Sequence, residues 1–307
     1  MPLVSNSLSR HFFGALAVAL LTSSAVACEG SAGATGPVGA AGPTGPGGAP
    51  GTPGTPGTPG ATGASGRSIF GLDGTNSLVV FSSNRPEIIT RRVAVTGLST
   101  GEQVLGIDFR PADGRLYAMG STSRIYTLDT LSGVATAVGP VFTPALAGAA
   151  IGFGFNPVVD RIRVHTDATQ DLRLVPTTGA VAVVDGALAY QAGDAGAGTV
   201  PAIGGTAYTN SVAGATTTEL YAIDAARDVM VELNNPNDGL LTTVGPLGVN
   251  TDTSIGFDIG GGEAYATLTS VGTTFSVLYR MSLDTGRATI IGAICGGAVL
   301  RTIAVAA

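Results

Sequence analysis

Only 12% of the 307 residues are charged, and the formal net charge of −6 arises without any basic run. That balance excludes the electrostatic footprint of a nucleic-acid-binding protein. Two cysteines (Cys28, Cys295) and two histidines (His11, His165) are too few for a zinc site of about four ligands at set spacing, so no metal or cofactor is expected.

In chain order, residues 1–27 read as a signal peptide. Arg10 and His11 form a short basic start, Phe12 to Leu21 is an apolar run, and Ala25-Val26-Ala27 is a small-residue cleavage pattern. The run falls short of the roughly 20 apolar residues that a membrane-spanning helix needs. Cys28 follows at once, so residues 28–29 form an anchor site in which Ala25-Val26-Ala27-Cys28 resembles a bacterial lipobox, with alanine where lipoboxes favour leucine. On that reading Cys28 carries lipid and tethers the chain to a membrane, and Cys295 becomes a free thiol protected by burial. The alternative is cleavage after Ala27, leaving a free or disulfide-bonded Cys28. Glu29 is not the aspartate associated with inner-membrane retention. The expected location is therefore the outer membrane or cell surface of a bacterium, and otherwise the periplasm or the medium.

From 30 to 66, glycine occupies every third position without a miss, with Pro37, Pro43, Pro46, Pro50, Pro53, Pro56 and Pro59 between. Only glycine fits the crowded axis of a collagen triple helix, so this segment reads as a collagen-like stalk that would make the protein a homotrimer. A triple-helical rod would be roughly 110 Å long. A disordered Pro/Gly spacer is the other reading, with ends about 30–35 Å apart. Either holds residues 67–307 away from a surface.

Beyond Arg67 short apolar alternations are separated by Gly, Asp, Asn and Pro, the signature of many antiparallel strands. Leu105-Gly106-Ile107-Asp108-Phe109, Ile151-Gly152-Phe153-Gly154-Phe155, Ile203-Gly204-Gly205-Thr206-Ala207 and Ile255-Gly256-Phe257-Asp258-Ile259 align with glycines 46, 52 and 52 residues apart. A repeat of this length fits one propeller blade. Each segment is followed by three more strands, with turns at Ser132-Gly133, Thr178-Gly179, Asp238-Gly239 and Thr285-Gly286 between the third and fourth. Ser68 to Leu72, Leu78 to Phe81 and Ile88 to Val95 read as a unit lacking its first strand, and Leu300 to Val305 as a first strand without successors. Joined, they complete a fifth blade and hide the sheet edges. The fold class is all-β, a five-bladed β-propeller closed by N- and C-terminal strands; a six-bladed ring or a β-sandwich is the alternative.

Gly106-Ile107-Asp108-Phe109-Arg110-Pro111-Ala112-Asp113-Gly114-Arg115-Leu116-Tyr117-Ala118, with Ile125-Tyr126-Thr127-Leu128-Asp129 and Gly152-Phe153-Gly154-Phe155-Asn156-Pro157, resembles the bacterial domain of unknown function 4394. The resemblance covers roughly Ser68 to Ala307. It implies a secreted, propeller-like domain and brings no activity with it. The upstream repeat resembles bacterial collagen-like proteins.

The chain contains no Walker loop or His-Glu-x-x-His. His165, in Arg163-Val164-His165-Thr166, reads as a strand residue and not a general base. Gly260-Gly261-Gly262 reads as a tight turn, since no helix follows to offer its N-terminal amides to a phosphate. Asp108 and Asp258 share one repeat position on two first strands, and alternation puts Arg110 on the same side as Asp108. These three are the ligand-binding candidates, for a polar ligand or, as a carboxylate pair, for glycoside hydrolysis. The structural reading is that they cap neighbouring backbone groups and tie blades together. Gly154 and Thr206 interrupt the ring, and ligand-spaced Asp runs suited to calcium are missing.

Three functional classes follow. The first is a non-enzymatic surface protein whose propeller binds a glycan or a protein, with no catalytic residue. The second is a propeller glycoside hydrolase, disfavoured because the chain has no tryptophan to stack on sugars. The third is a structural matrix or coat component.

Overall fold

The computed structural model describes residues 66–306, and they form a closed ring of five antiparallel blades. The signal, the Cys28 anchor and the Gly-X-Y repeat lie outside the described residues. Blade 1 is built from both ends of the domain. Its innermost strand is β21 (Leu300–Val305), followed outward by β1 (Ser68–Asp73), β2 (Ser77–Ser82) and β3 (Arg85–Ala94). The register pairs Phe70 with Ala304 and Gly71 with Ile303, so the last strand of the chain supplies the missing first strand.

Blades 2 and 3 contain β4 (Val104–Phe109), β5 (Leu116–Gly120), β6 (Arg124–Leu128) and β7 (Ala135–Ala137), then β8 (Ile151–Asn156), β9 (Arg161–Thr166), β10 (Asp171–Leu174) and β11 (Val181–Val184). Blade 4 contains β13 (Ile203–Tyr208), β14 (Leu220–Asp224), β15 (Val229–Asn235) and β16 (Leu240–Pro246), and blade 5 contains β17 (Thr251–Gly260), β18 (Glu263–Ser270), β19 (Ser276–Met281) and β20 (Ala288–Ala293). The five innermost strands contact one another in the cycle β21, β4, β8, β13, β17 and back to β21.

One strand has no counterpart in the sequence reading. β12 (Ala189–Tyr190) runs parallel to β16 and covers the outer edge of blade 4. Its placement follows from burial: Leu188 and Tyr190 pack on the blade, and the Tyr190 hydroxyl donates to Asp224 Oδ2 at 2.5 Å. An uncovered edge would offer a row of unpaired amides to other chains.

The core lies between the blades. Phe70, Leu72 and Leu78 of blade 1 meet Ile107, Leu116 and Tyr126 of blade 2. Tyr117, Met119 and Ile125 of blade 2 meet Phe153, Phe155 and Val164 of blade 3. Tyr221, Ile223 and Met230 of blade 4 meet Phe257, Ala266 and Tyr279 of blade 5, and Tyr265 and Leu278 of blade 5 meet Ile69, Phe81 and Ile303.

The repeat glycine has a physical cause in these seams. A Cβ on Gly106 would stand 2.5 Å from Phe153 Cβ, and one on Gly256 would stand 2.8 Å from the Ile303 amide nitrogen. The strands approach too closely for a side chain. Cys295 is buried and is not a free thiol, so the expectation of a free thiol there does not hold.

Candidate functional site

Asp108 and Asp258 both lie on innermost strands and are buried. Asp108 Oδ2 accepts the Phe155 N–H of blade 3 at 2.7 Å, and Asp258 Oδ2 accepts the Val305 N–H of blade 1 at 2.6 Å. Thr302 Oγ1 accepts the Ile107 N–H of blade 2 at 3.2 Å. An innermost strand has no sheet neighbour on the channel side, and these side chains satisfy amides that would otherwise be orphaned.

Burial pushes the Asp258 carboxyl up to about 6. Burial, and then the charge of Asp258, pushes Asp108 well above the usual carboxylate range. Arg110 does not join them. β4 ends at Phe109, so alternation stops there, and the guanidinium turns to Asp160 in the β8–β9 turn at 2.8 Å and to Asp113 at 2.8 Å. The structure brings the two carboxylates to the inner ring and sends the arginine to the rim.

The seam between blades 3 and 4 is polar. Arg163, His165 and Asp171 are buried where the other seams carry aliphatic and aromatic residues. Arg163 Nη1 donates to Asp171 Oδ1 at 2.8 Å, to Asp185 Oδ2 at 2.9 Å and to the Pro236 carbonyl at 3.2 Å. Its Nε donates to Tyr208 Oη at 3.1 Å and its Nη2 to Asn237 Oδ1 at 3.0 Å, both in blade 4. Arg173 closes the network on Asp185 through two bonds of 2.7 and 2.8 Å.

Two guanidinium and two carboxylate groups thus neutralise one another, as buried charges require. Burial opposes ionisation of Asp171, yet His165 and Arg163 hold its carboxyl below the usual range. His165 is fully buried, with Nδ1 2.9 Å from Thr206 Oγ1 and Nε2 3.5 Å from Asp171 Oδ1.

Above this network opens a cleft of about 450 Å³. The innermost strands all run one way, so their turns into the second strands project from one face of the ring. The cleft lies on that face, between the β8–β9 turn (Asn156, Val159), Arg161 and Arg173 of blade 3, and Glu219, Glu232, Asn234 and Asn237 of blade 4. Burial, and then the charge of Glu219, raises the Glu232 carboxyl.

A second cleft of about 440 Å³ lies beside it, lined by Thr209, Asn210, Thr217, Glu219, Ile259 and Leu283 among others. Gly261 and Gly262, in the turn read from sequence, take positive φ of 57° and 80°, and Gly262 lines this second cleft.

Of the lining residues only Gly262 was singled out from sequence, and as a turn, although a further signal was present. Arg161, Arg163 and His165 alternate on a second strand, which in an ordinary blade packs apolar side chains on both faces. Among the described residues no group of three or more His, Cys, Asp or Glu is placed to hold a metal ion, and no helix is long and apolar enough to cross a membrane.

A family model described as a domain of unknown function (DUF4394) matches residues 77–304. No curated protein matches the sequence. Among solved structures, a structural-genomics protein of unknown function from Bacteroides thetaiotaomicron aligns with TM-score 0.47 at 13% identity, over 65% of this chain and 53% of that one, so the chain spans about half the length of that relative. The structure described as a nidogen/laminin complex aligns with TM-score 0.41 at 12% identity, over 79% of this chain and 99% of that one. A protein from Lactobacillus plantarum aligns with TM-score 0.39 at 15% identity, over 76% and 70%.

Proposed function

The chain belongs to the DUF4394 family, whose description assigns no activity, and we propose from its cleft that the propeller is a non-enzymatic glycan-binding head. In this reading the protein is exported and displayed at the bacterial surface, with the Gly-X-Y repeat as spacer and trimeriser.

The observation that carries the reading is the lining of the 450 Å³ cleft. It offers guanidinium, carboxylate and amide groups in quantity, and its only exposed apolar lining residue is Val159. A protein partner would want a buried aromatic or aliphatic anchor at such a site. A polyhydroxylated ligand wants bidentate and amide hydrogen bonds, which these walls supply. His165 lies beneath the floor with no exposed surface and takes no part.

Binding of soluble glycans to the full chain tests the proposal. Arg161→Ala removes a half-exposed guanidinium from the wall, and an affinity loss of about tenfold is expected from one charge-assisted hydrogen bond. Unchanged affinity in this variant would refute the cleft as the site.

One observation favours glycoside hydrolysis as the second reading. Glu219 and Glu232 line the same cleft, and burial, then the charge of Glu219, raises the Glu232 carboxyl. Two carboxylates facing one cleft, one of them raised by burial, form an arrangement that glycoside hydrolysis uses for its acid and partner. Release of reducing ends from a bound polysaccharide, abolished by Glu232→Gln, would favour this reading over simple binding.

A further inference from the structure

The connection between β13 and β14 is the longest of those that follow an innermost strand. It spans residues 209–219, against 110–115, 157–160 and 261–262 in the other blades. Its base is pinned by its own hydrogen bonds: Thr218 Oγ1 donates to the Thr209 carbonyl at 2.6 Å, the Glu219 N–H donates to Thr209 Oγ1 at 2.8 Å, and Asn210 Nδ2 donates to the Thr217 carbonyl at 3.1 Å. It therefore stands as a fixed ridge on the face that carries both clefts. Thr218 and Glu219, at its foot, line the first cleft and the second alike.

The two hollows are nearly equal, about 450 and 440 Å³, and each is of the size that holds a small ligand or one unit of a larger one. Their chemistries are complementary. The first is charged and amide-rich. The second sets the hydroxyl and amide groups of Thr209, Asn210 and Thr217 around Ile259 and Leu283. A sugar ring has this same division, with hydroxyls at its edge and C–H groups on its faces, so the second cleft accommodates a pyranose without an aromatic platform.

We infer that the two clefts are subsites of one site, and that the ligand is a linear glycan laid across the 209–219 ridge with units in both. This rests on the glycan-binding reading above and adds to it a length requirement and a second contact surface. Glu219 is the shared element: it stands where the chain of sugars crosses from blade 4 toward blade 5, within reach of units on either side. Because the ridge is pinned before any ligand arrives, filling the second subsite costs little further ordering, and the gain appears as affinity.

The test is calorimetric titration of the full chain with cello-, xylo- and chito-oligosaccharides from disaccharide to octasaccharide. Affinity for the accepted series is expected to rise about tenfold or more with length and then level off once both clefts are filled. Thr217→Arg, at an exposed position that lines only the second cleft, is expected to remove that gain without lowering the melting temperature. Arg161→Ala is expected to weaken every length.

A ladder in which disaccharide and octasaccharide bind equally would overturn the two-subsite inference and leave the binding head standing. A Thr217→Arg chain that still shows the full gain would do the same. A full chain that binds none of the three series would overturn both.

Discussion

Deleting Leu300–Ala307 removes the strand that closes the ring. β21 buries Leu300, Ile303 and Val305 at 0, 1 and 5% exposure. Full burial of a large aliphatic side chain contributes about 1.5–3 kcal/mol, so the three together contribute about 5–9 kcal/mol. The deletion also takes away Thr302 Oγ1, which accepts the Ile107 N–H, and the Val305 N–H, which donates to buried Asp258. It strips one ladder from β1 as well. A domain has a net stability of roughly 5–15 kcal/mol, so the loss is comparable with the whole. Differential scanning calorimetry of the truncated chain should show no cooperative transition, and near-ultraviolet circular dichroism should be lost. If the truncated chain melts within a few degrees of the full chain, ring closure by β21 is not what holds the domain together.

The Asp258 carboxyl is raised by folding to about 6, so the stability it contributes is fully present below its unfolded value near 3.8 and is lost as pH rises through about 6; the full chain should melt lower at pH 8 than at pH 5, and Asp258→Asn should flatten that decline. Asp73, Asp160, Asp171 and Glu102 are shifted the other way, and their contributions are lost as pH falls through their lowered values, so a melting temperature that rises steadily toward pH 2 would contradict these assignments. Arg163→Ala leaves Asp171 and Asp185 buried without their shared cation, a change that typically costs about 3–5 kcal/mol and should be measurable by urea unfolding. Gly106→Ala forces a Cβ to 2.5 Å from Phe153 Cβ, and the overpacking should cost about 1–3 kcal/mol in the same assay. A non-reducing digest of the exported chain should find Cys295 in a disulfide, and a free Cys295 thiol would contradict that assignment; acyl chains on Cys28 in mass spectrometry of the mature N-terminus would exclude Cys28 as its partner, since lipid and disulfide need the same sulfur.

The ring was legible because its period is imposed by sterics. Gly106, Gly152 and Gly256 recur where the next innermost strand passes too close for a side chain, and Gly133, Gly179, Gly239 and Gly286 recur where the third and fourth strands turn with φ between 68° and 74°. These positions tolerate little else, so they show in one sequence. Asp108 and Asp258 were legible for a similar reason, since each meets a fixed backbone amide. Arg110 was misplaced because alternation carries only as far as the strand does, and β4 stops one residue earlier. The cleft was hidden because its walls come from the β8–β9 turn, the 209–219 loop and the Pro236–Asp238 turn, which are brought together by the order of blades and by nothing local.

The two-sided pairing of β1 has a mechanical consequence. The chain enters the propeller at residue 67, directly ahead of a strand clamped between β21 and β2. Tension applied through an N-terminal tether is therefore delivered along β1 as shear against two ladders at once. An outermost strand would instead peel away one bond at a time. Resistance to forced unfolding is governed by the unfolding rate, and shear raises the barrier that sets it. A head held in flow on such an attachment keeps its clefts intact under loads that would unzip a domain tethered by its edge.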